Sequence, residues 1–245
     1  MPRRASLERF KKLWSRCGSE HPNDASVGNV AESGSAHASA RAEEAAGLGA
    51  DLLARYAESG RLYHTIDHID HCLGQFDDVR DDCIQADAVE LAIWFHDAIY
   101  NFPAYENEKL SAGFFMEKSE QVLDNRFRKD VAALVIATEH LRVPNDPDQR
   151  ILVDVDLSSF GLPWEKFAAD GRNIRKELHY LTDAEFYKGQ IAFMQSLLGR
   201  DRIFNTTHFY NAYESIARDN VGRYLGSLRD RGFMDVDDSE ASSVR

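Results

Sequence analysis

A chain of 245 residues with 43% hydrophobic and 29% charged side chains has ordinary globular composition, enough for one large domain or two small ones. Its formal net charge of −12 argues against broad binding to nucleic-acid polymers, which needs basic surface, but leaves room for a small anion met by a few local arginines. No run approaches the roughly 18 apolar residues of a membrane span. No apolar stretch follows the basic Pro2-Arg3-Arg4, and the three cysteines (Cys17, Cys72 and Cys83) show no CxxC spacing, so a soluble cytoplasmic protein without a membrane partner is expected.

In chain order, Leu7, Phe10, Leu13 and Trp14 at helical spacing predict a short N-terminal helix within residues 1–17. Residues 18–49 shift to Ser, Ala, Gly and Asn, with almost no large apolar side chains. Such a segment buries too little to offset its ordering entropy, and reads as a flexible insertion or linker. Helical patterns follow at 50–58, 65–79, 86–100, 106–122, 126–141, 164–180, 183–199 and 207–229. They predict an all-α domain over residues 50–234, and the tail 235–245 reads as disordered. No series of alternating strands and no fixed-period repeat interrupts this pattern.

Two stretches carry chemistry. In R-L-Y-H-T-I-D-H-I-D-H (61–71), Leu62, Ile66, Ile69, Leu73 and Phe76 make an inward stripe if the segment is helical. His64, His68 and His71 then share the other face, with His64 and His68 at the i, i+4 spacing that lets two imidazoles converge. In L-A-I-W-F-H-D-A-I-Y (91–100) the apolar residues surround the helix, which predicts a buried element carrying His96 and Asp97 inward. A buried carboxylate costs several kcal/mol unless paired, by an arginine or by a divalent cation, and a cation also suits the neutral histidine beside it.

Taken together, R-x-Y-H-x-x-x-H-I (61–69), A-I-W-F-H-D-A-I-Y (92–100), N-E-x-x-S-A (107–112), A-T-x-H (137–140) and D-x-D-L (154–157) resemble the HD superfamily. The likeness is to its bacterial subfamily of predicted metal-dependent HD phosphohydrolases. I-R-K-E (174–177) and A-R-D-N (217–220) extend the resemblance, which covers roughly residues 50 to 229 and departs from the subfamily at Thr65, where Asn is usual. The resemblance implies a single HD-type helical bundle hydrolysing a small phosphoester, a nucleotide among the candidates. His68, His96, Asp97 and a later Asp would hold one divalent ion (Mn, Mg, Fe, Co, Ni or Zn), and His64 would protonate the leaving oxygen.

Of the two later carboxylates, Asp154 and Asp156 point about 200° apart on a helix, so only one can face the ion. The family pattern, in which the ligand Asp opens a short helix, selects Asp156, and Asp154 is expected to be a cap or a solvated carboxylate. Glu108 is a candidate to orient the attacking water. His140 is a candidate second-metal ligand or a favourable histidine at a helix C-terminus. Arg61 and Arg175 are candidate phosphate contacts, because guanidinium grips phosphate oxygens in pairs. Two other classes stay open at this point, a di-iron HD-type oxygenase and a non-catalytic nucleotide-binding module.

Overall fold

The computed structural model describes residues 3–22, 34–101 and 106–234. Among these residues the protein is all-α, as expected, with ten α-helices, two short 3-10 turns and no strand. None of the helices is long and apolar enough to cross a membrane. The tail 235–245 and residues 23–33 of the expected insertion lie outside the described residues. The chain forms two compact units, Met1–Asp156 and Leu157–Arg245, where the sequence predicts one domain over 50–234.

The first unit contains α1 (Leu7–Glu20), α2 (Gly34–Arg55), α3 (Ile66–Asp77), a 3-10 turn at Arg80–Asp82, α4 (Ala86–Phe95), α5 (Asn107–Lys118), α6 (Asn125–Ala137) and α7 (Pro147–Leu157), which ends at the boundary. Local chemistry starts most of these helices. Ser6 accepts from the Arg9 N–H, Thr65 from Asp67, and Asp124 from Arg126 and Phe127, each satisfying amide groups that the first turn leaves open. For α7, Asp146 accepts from the Gln149 N–H and Pro147 occupies the first helical position, where its missing N–H costs nothing.

Helix α4 forms the centre of this unit. Every residue from Ala88 to Phe95 is buried. Phe10 and Trp14 of α1 stack on each other; Phe10 meets Trp94 edge-on, both meet Phe95 at a tilt, and Phe114 and Phe115 of α5 reach Phe95 from another side. Each such large side chain contributes about 1.5–3 kcal/mol on leaving water. The start of α4 has no side-chain cap of its own. Asp148, in the first turn of α7, supplies one by accepting from the Ile84 and Gln85 N–H groups, both at 2.8 Å.

Three expectations need correction. Residues 34–49 are not a flexible linker but the greater part of α2, with Ala45, Leu48 and Leu52 buried. The segment folds because its small residues permit close approach. A Cβ on Gly49 would meet Leu7 Cδ1 at 2.6 Å and Phe10 Cδ1 at 2.8 Å, so α2 lies almost backbone-to-side-chain against α1. Asp156 does not open a short helix but lies in the last turn of α7, whose body is I-L-V-D-V-D-L (151–157), buried from Ile151 to Val155, because Asp146 and Pro147 initiate a helix that the core then covers. Finally, α4 ends at Phe95 rather than at 100, and α3 begins at Ile66, leaving Leu62 44% exposed and outside the helical stripe.

The second unit contains a 3-10 turn at Ser158–Gly161, then α8 (Trp164–Glu177), α9 (Asp183–Leu198) and α10 (Thr207–Asp230). It has its own apolar core of Phe167, Met194, Val221 and Leu225, continued by Phe186, Tyr187 and Leu228. A self-sufficient core is why it stands as a separate unit. Thr182 and Glu185 start α9 with a reciprocal capping box. The A-R-D-N residues serve the backbone: Arg218 donates to the Leu198, Arg200 and Asp201 carbonyls, and Asn220 to those of Phe160 and Leu162.

Candidate metal centre

Four stretches far apart in sequence bring side chains together in the first unit. His68 comes from the first turn of α3, His96 and Asp97 from the turn that leaves α4, Asp156 from the last turn of α7, and His140 from just beyond α6. The ligating atoms of His68, His96 and Asp156 lie within 4.8 Å of one another, a group that can hold a metal ion. His68 Nε2 and His96 Nε2 are 3.2 Å apart. Asp156 Oδ1 is 3.1 Å from the first and 3.6 Å from the second, and Asp97 Oδ2 is 3.0 Å from His96 Nε2 and 3.6 Å from His68 Nε2.

The donor chemistry fits a divalent cation. His96 Nδ1 is 3.0 Å from the Ile93 carbonyl, where its N–H donates, so a neutral His96 presents its Nε2 lone pair to the cluster. Without a cation, protons must compensate the carboxylates. Burial alone would push the His96 pKa down, but Asp97 and Asp156 outweigh it and raise it well above the ordinary imidazole value. Burial likewise pushes Asp156 up, and hydrogen bonds from His140, His68 and His96 reverse this, holding it well below the usual carboxylate range. Asp97 is lowered against its own burial, chiefly by His96 and then by His64. Two imidazoles and two carboxylates suit Mn, Fe, Co, Ni or Zn about equally.

His64 lies before α3, not on it, so the helical i, i+4 pairing with His68 is corrected. The two rings are nevertheless neighbours, with centroids 6.3 Å apart. Tyr100 stacks on His64 at 4.1 Å and 27°, and Tyr63 meets it edge-on. Thr65 caps α3, its hydroxyl accepting from the Asp67 N–H. Glu108 is half-buried near Asp97, Glu139 and His140; burial, with the Asp97 and Glu139 charges, raises its carboxyl.

Asp156 uses both oxygens. Oδ1 faces His68 and His96, while Oδ2 is 2.8 Å from His140 Nε2. His140 holds this position with a left-handed backbone, φ 56°, which histidine tolerates better than most residues but which still costs free energy. Asp154, expected to be a cap or solvated, is instead fully buried in mid-α7, because both faces of that helix are covered.

The two arginines stand differently from expectation. The Arg61 side chain is only 2% exposed, and its guanidinium donates to the Asp97, Ala98 and His64 carbonyls and to Glu58. It is committed to backbone rather than offered to a phosphate. Arg175 belongs to the second unit, where it donates to Asp183 and to the Leu178 and Leu181 carbonyls after α8.

Several supporting groups were given no role from the sequence. Cys72, one turn after His68, sets its sulfur 3.7–3.8 Å from both ring nitrogens, and burial followed by the Asp156 and Asp97 charges raises its thiol pKa well above normal. Asn107 Oδ1 accepts from the Asn101 N–H, and Ser111 Oγ accepts from the Ile99 N–H, so the N-E-x-x-S-A segment tethers the chain leaving Asp97. Apart from that motif, no local signal marks them, since their partners are distant in sequence. Comparison of the chain with protein-family models, with characterised proteins and with solved structures finds no match.

Proposed function

We propose that the first unit is a metal-dependent phosphohydrolase of HD type, acting on a small phosphoester such as a nucleotide. The observation that carries this reading is the convergence of His68, His96, Asp97 and Asp156, with His64 beside them. A divalent cation held by these groups supplies Lewis acidity toward a phosphoryl oxygen and an attacking water. Glu108, its carboxyl raised by burial, takes up the proton of that water. His64, oriented by its stack on Tyr100, delivers a proton to the departing alkoxide. The buried ligand carboxylates remain ionised and keep the cluster's charge complementary to a cation. The three cysteines are free thiols, which suits the proposed cytoplasmic location.

The test separates leaving groups. His64→Ala should lose about 10²–10⁴ in turnover on an alkyl phosphoester and far less on a nitrophenyl ester, whose leaving group scarcely needs a proton. Equal losses on both would remove His64 from the role of acid. The contact of His140 with the second oxygen of Asp156 favours one further reading, a second cation beside the first, the arrangement a di-iron oxygenase needs. Two equivalents of iron and visible colour in the purified protein would select it, and one colourless divalent ion with phosphoester turnover would reject it.

A further inference from the structure

The end of α4 needs donors. An α-helix leaves its last four carbonyls without intrahelical partners, and helices commonly close on a left-handed glycine that recovers some of them. No glycine follows α4. The chain must turn at His96-Asp97-Ala98 while aiming two side chains at the same point.

Accounting for the carbonyls shows how this is done. The His96 N–H donates to Ala92, and its ring Nδ1–H to Ile93. The Tyr56 hydroxyl donates to the Trp94 carbonyl at 2.9 Å. The Ala98 N–H donates to Phe95. Arg61 then takes the turn itself, with Nη1 2.6 Å from the Asp97 carbonyl and Nη2 3.0 Å from that of Ala98. The same Nη1 reaches the His64 carbonyl at 3.3 Å, and Nε donates to Glu58. The guanidinium also lies over the Tyr56 and Tyr100 rings, and Tyr100 in turn stacks on His64.

We infer that Arg61 is a positioning residue that sets Asp97 and His64 relative to each other by holding the backbone of both. The inference rests on the metal-site reading above. It assigns Arg61 no contact with substrate or cation. A planar, five-donor group is required, because a lysine ammonium is a single point and cannot span two successive carbonyls together with a third from another segment.

The experiment titrates the full-length apo chain with Co²⁺ alone, reading affinity and the d–d absorption bands, which report ligand geometry. Groups that orient ligands typically alter affinity 10–100-fold. Arg61→Lys should therefore bind Co²⁺ about 10–100-fold more weakly, with shifted bands and wild-type helix content. Arg218→Lys serves as a matched control, since it also removes a multi-carbonyl clamp but lies in the second unit; it should lose stability and keep both affinity and spectrum. Wild-type affinity and bands in a folded Arg61→Lys overturn the inference.

Should Arg61→Lys fail to fold, Glu58→Ala removes only the anchor of Nε, from a side chain that is 52% exposed. A few-fold loss of affinity supports the inference, and none overturns it. Turnover is not part of the readout. A wild-type protein that binds Co²⁺ and hydrolyses nothing overturns the phosphohydrolase reading alone, while the loss in Arg61→Lys still supports this one. A wild-type chain that takes no Co²⁺ overturns both.

Discussion

Gly47 and Gly49 stand two residues apart on α2, and replacing each by alanine isolates what packing does to one helix. As a matter of propensity the two substitutions are identical, each relieving glycine's backbone entropy by about 0.5–1 kcal/mol. Gly47 is exposed and has nothing within 4 Å of an added Cβ, so Gly47→Ala should realise that gain in full. At Gly49 the new methyl would meet Leu7 Cδ1 at 2.6 Å and Phe10 Cδ1 at 2.8 Å. Leu7 is half-buried and can yield. Phe10 is fully buried, with ring centroids 5.8, 5.4 and 6.2 Å from Trp14, Trp94 and Phe95, and cannot. Overpacking of this kind costs about 1–3 kcal/mol. Gly49→Ala should thus be neutral to destabilising by about 2 kcal/mol, and the two variants should differ by about 1–3 kcal/mol. Urea denaturation with a shared m-value measures the difference directly, Gly47→Ala moving to a higher midpoint and Gly49→Ala to an unchanged or lower one. Equal stabilisation by both would mean that α2 does not dock on α1 and that 34–49 is solvated.

Two other outcomes follow from the charged groups. A cation at a thousand times its Kd stabilises a folded protein by about 4 kcal/mol, or about 8–16 °C in Tm at this chain length; Asp156→Asn should lose most of the shift seen between chelator and Mn²⁺ in a melting experiment, and retention of the full shift would exclude Asp156 as a ligand. Asp87 is pushed up by burial but held below its ordinary pKa by hydrogen bonds from Arg16 and Arg80, so its contribution is present above the unfolded carboxylate pKa of about 3.9 and is lost as pH falls through the lower folded value. Asp87→Asn should then be less stable than wild type by about 1–3 kcal/mol at pH 7, with the gap closing below about pH 4; urea midpoints across pH 3–7 check this, and a gap that stays constant would contradict it.

Helices whose apolar residues recur at helical spacing were legible, and so was the chain order of the histidines and aspartates that meet. The all-round apolar run within 86–100 identified a buried helix, which α4 is over Ala86–Phe95. Three things were hidden for physical reasons. The docking face of α2 depends on what its glycines and alanines lack, and hydrophobic patterning detects only what side chains add. The length of α7 was hidden because I-L-V-D-V-D-L alternates without a helical stripe, and the start that Asp146 and Pro147 set upstream went unread, so only a short helix opening at Asp156 was expected. The ends of α3 and α4 depend on donors elsewhere: Arg61 looks like a surface arginine in sequence because nothing local reports that its partners are carbonyls at 97 and 98.

The meeting of His68, His96, Asp97 and Asp156 follows from how α4 and α7 are fixed together. Asp148, near the start of α7, holds the amides that enter α4, and Asp156, in the last turn of α7, meets His96 at the exit from α4. The two helices therefore run in the same direction, joined at both ends. Along each helix the span is similar: eight residues from 148 to 156 rise about 12 Å, and eleven from 85 to 96 about 16 Å. A one-residue slip of α7 against α4 would break the pair of bonds at Asp148 and also rotate Asp156 by about 100° away from the imidazoles. Asp148 and Asp156 thus share one register. Arg61 and Tyr56 fix the remaining degree of freedom, the path of the chain beyond Phe95, on which Asp97 rides. Gathering five titratable side chains at one point, two buried and three largely so, is tolerable only in such a frame, where the charges cannot drift apart into unpaired positions. The same frame keeps two imidazole nitrogens 3.2 Å apart with carboxylate oxygens alongside, donors already ordered by the fold.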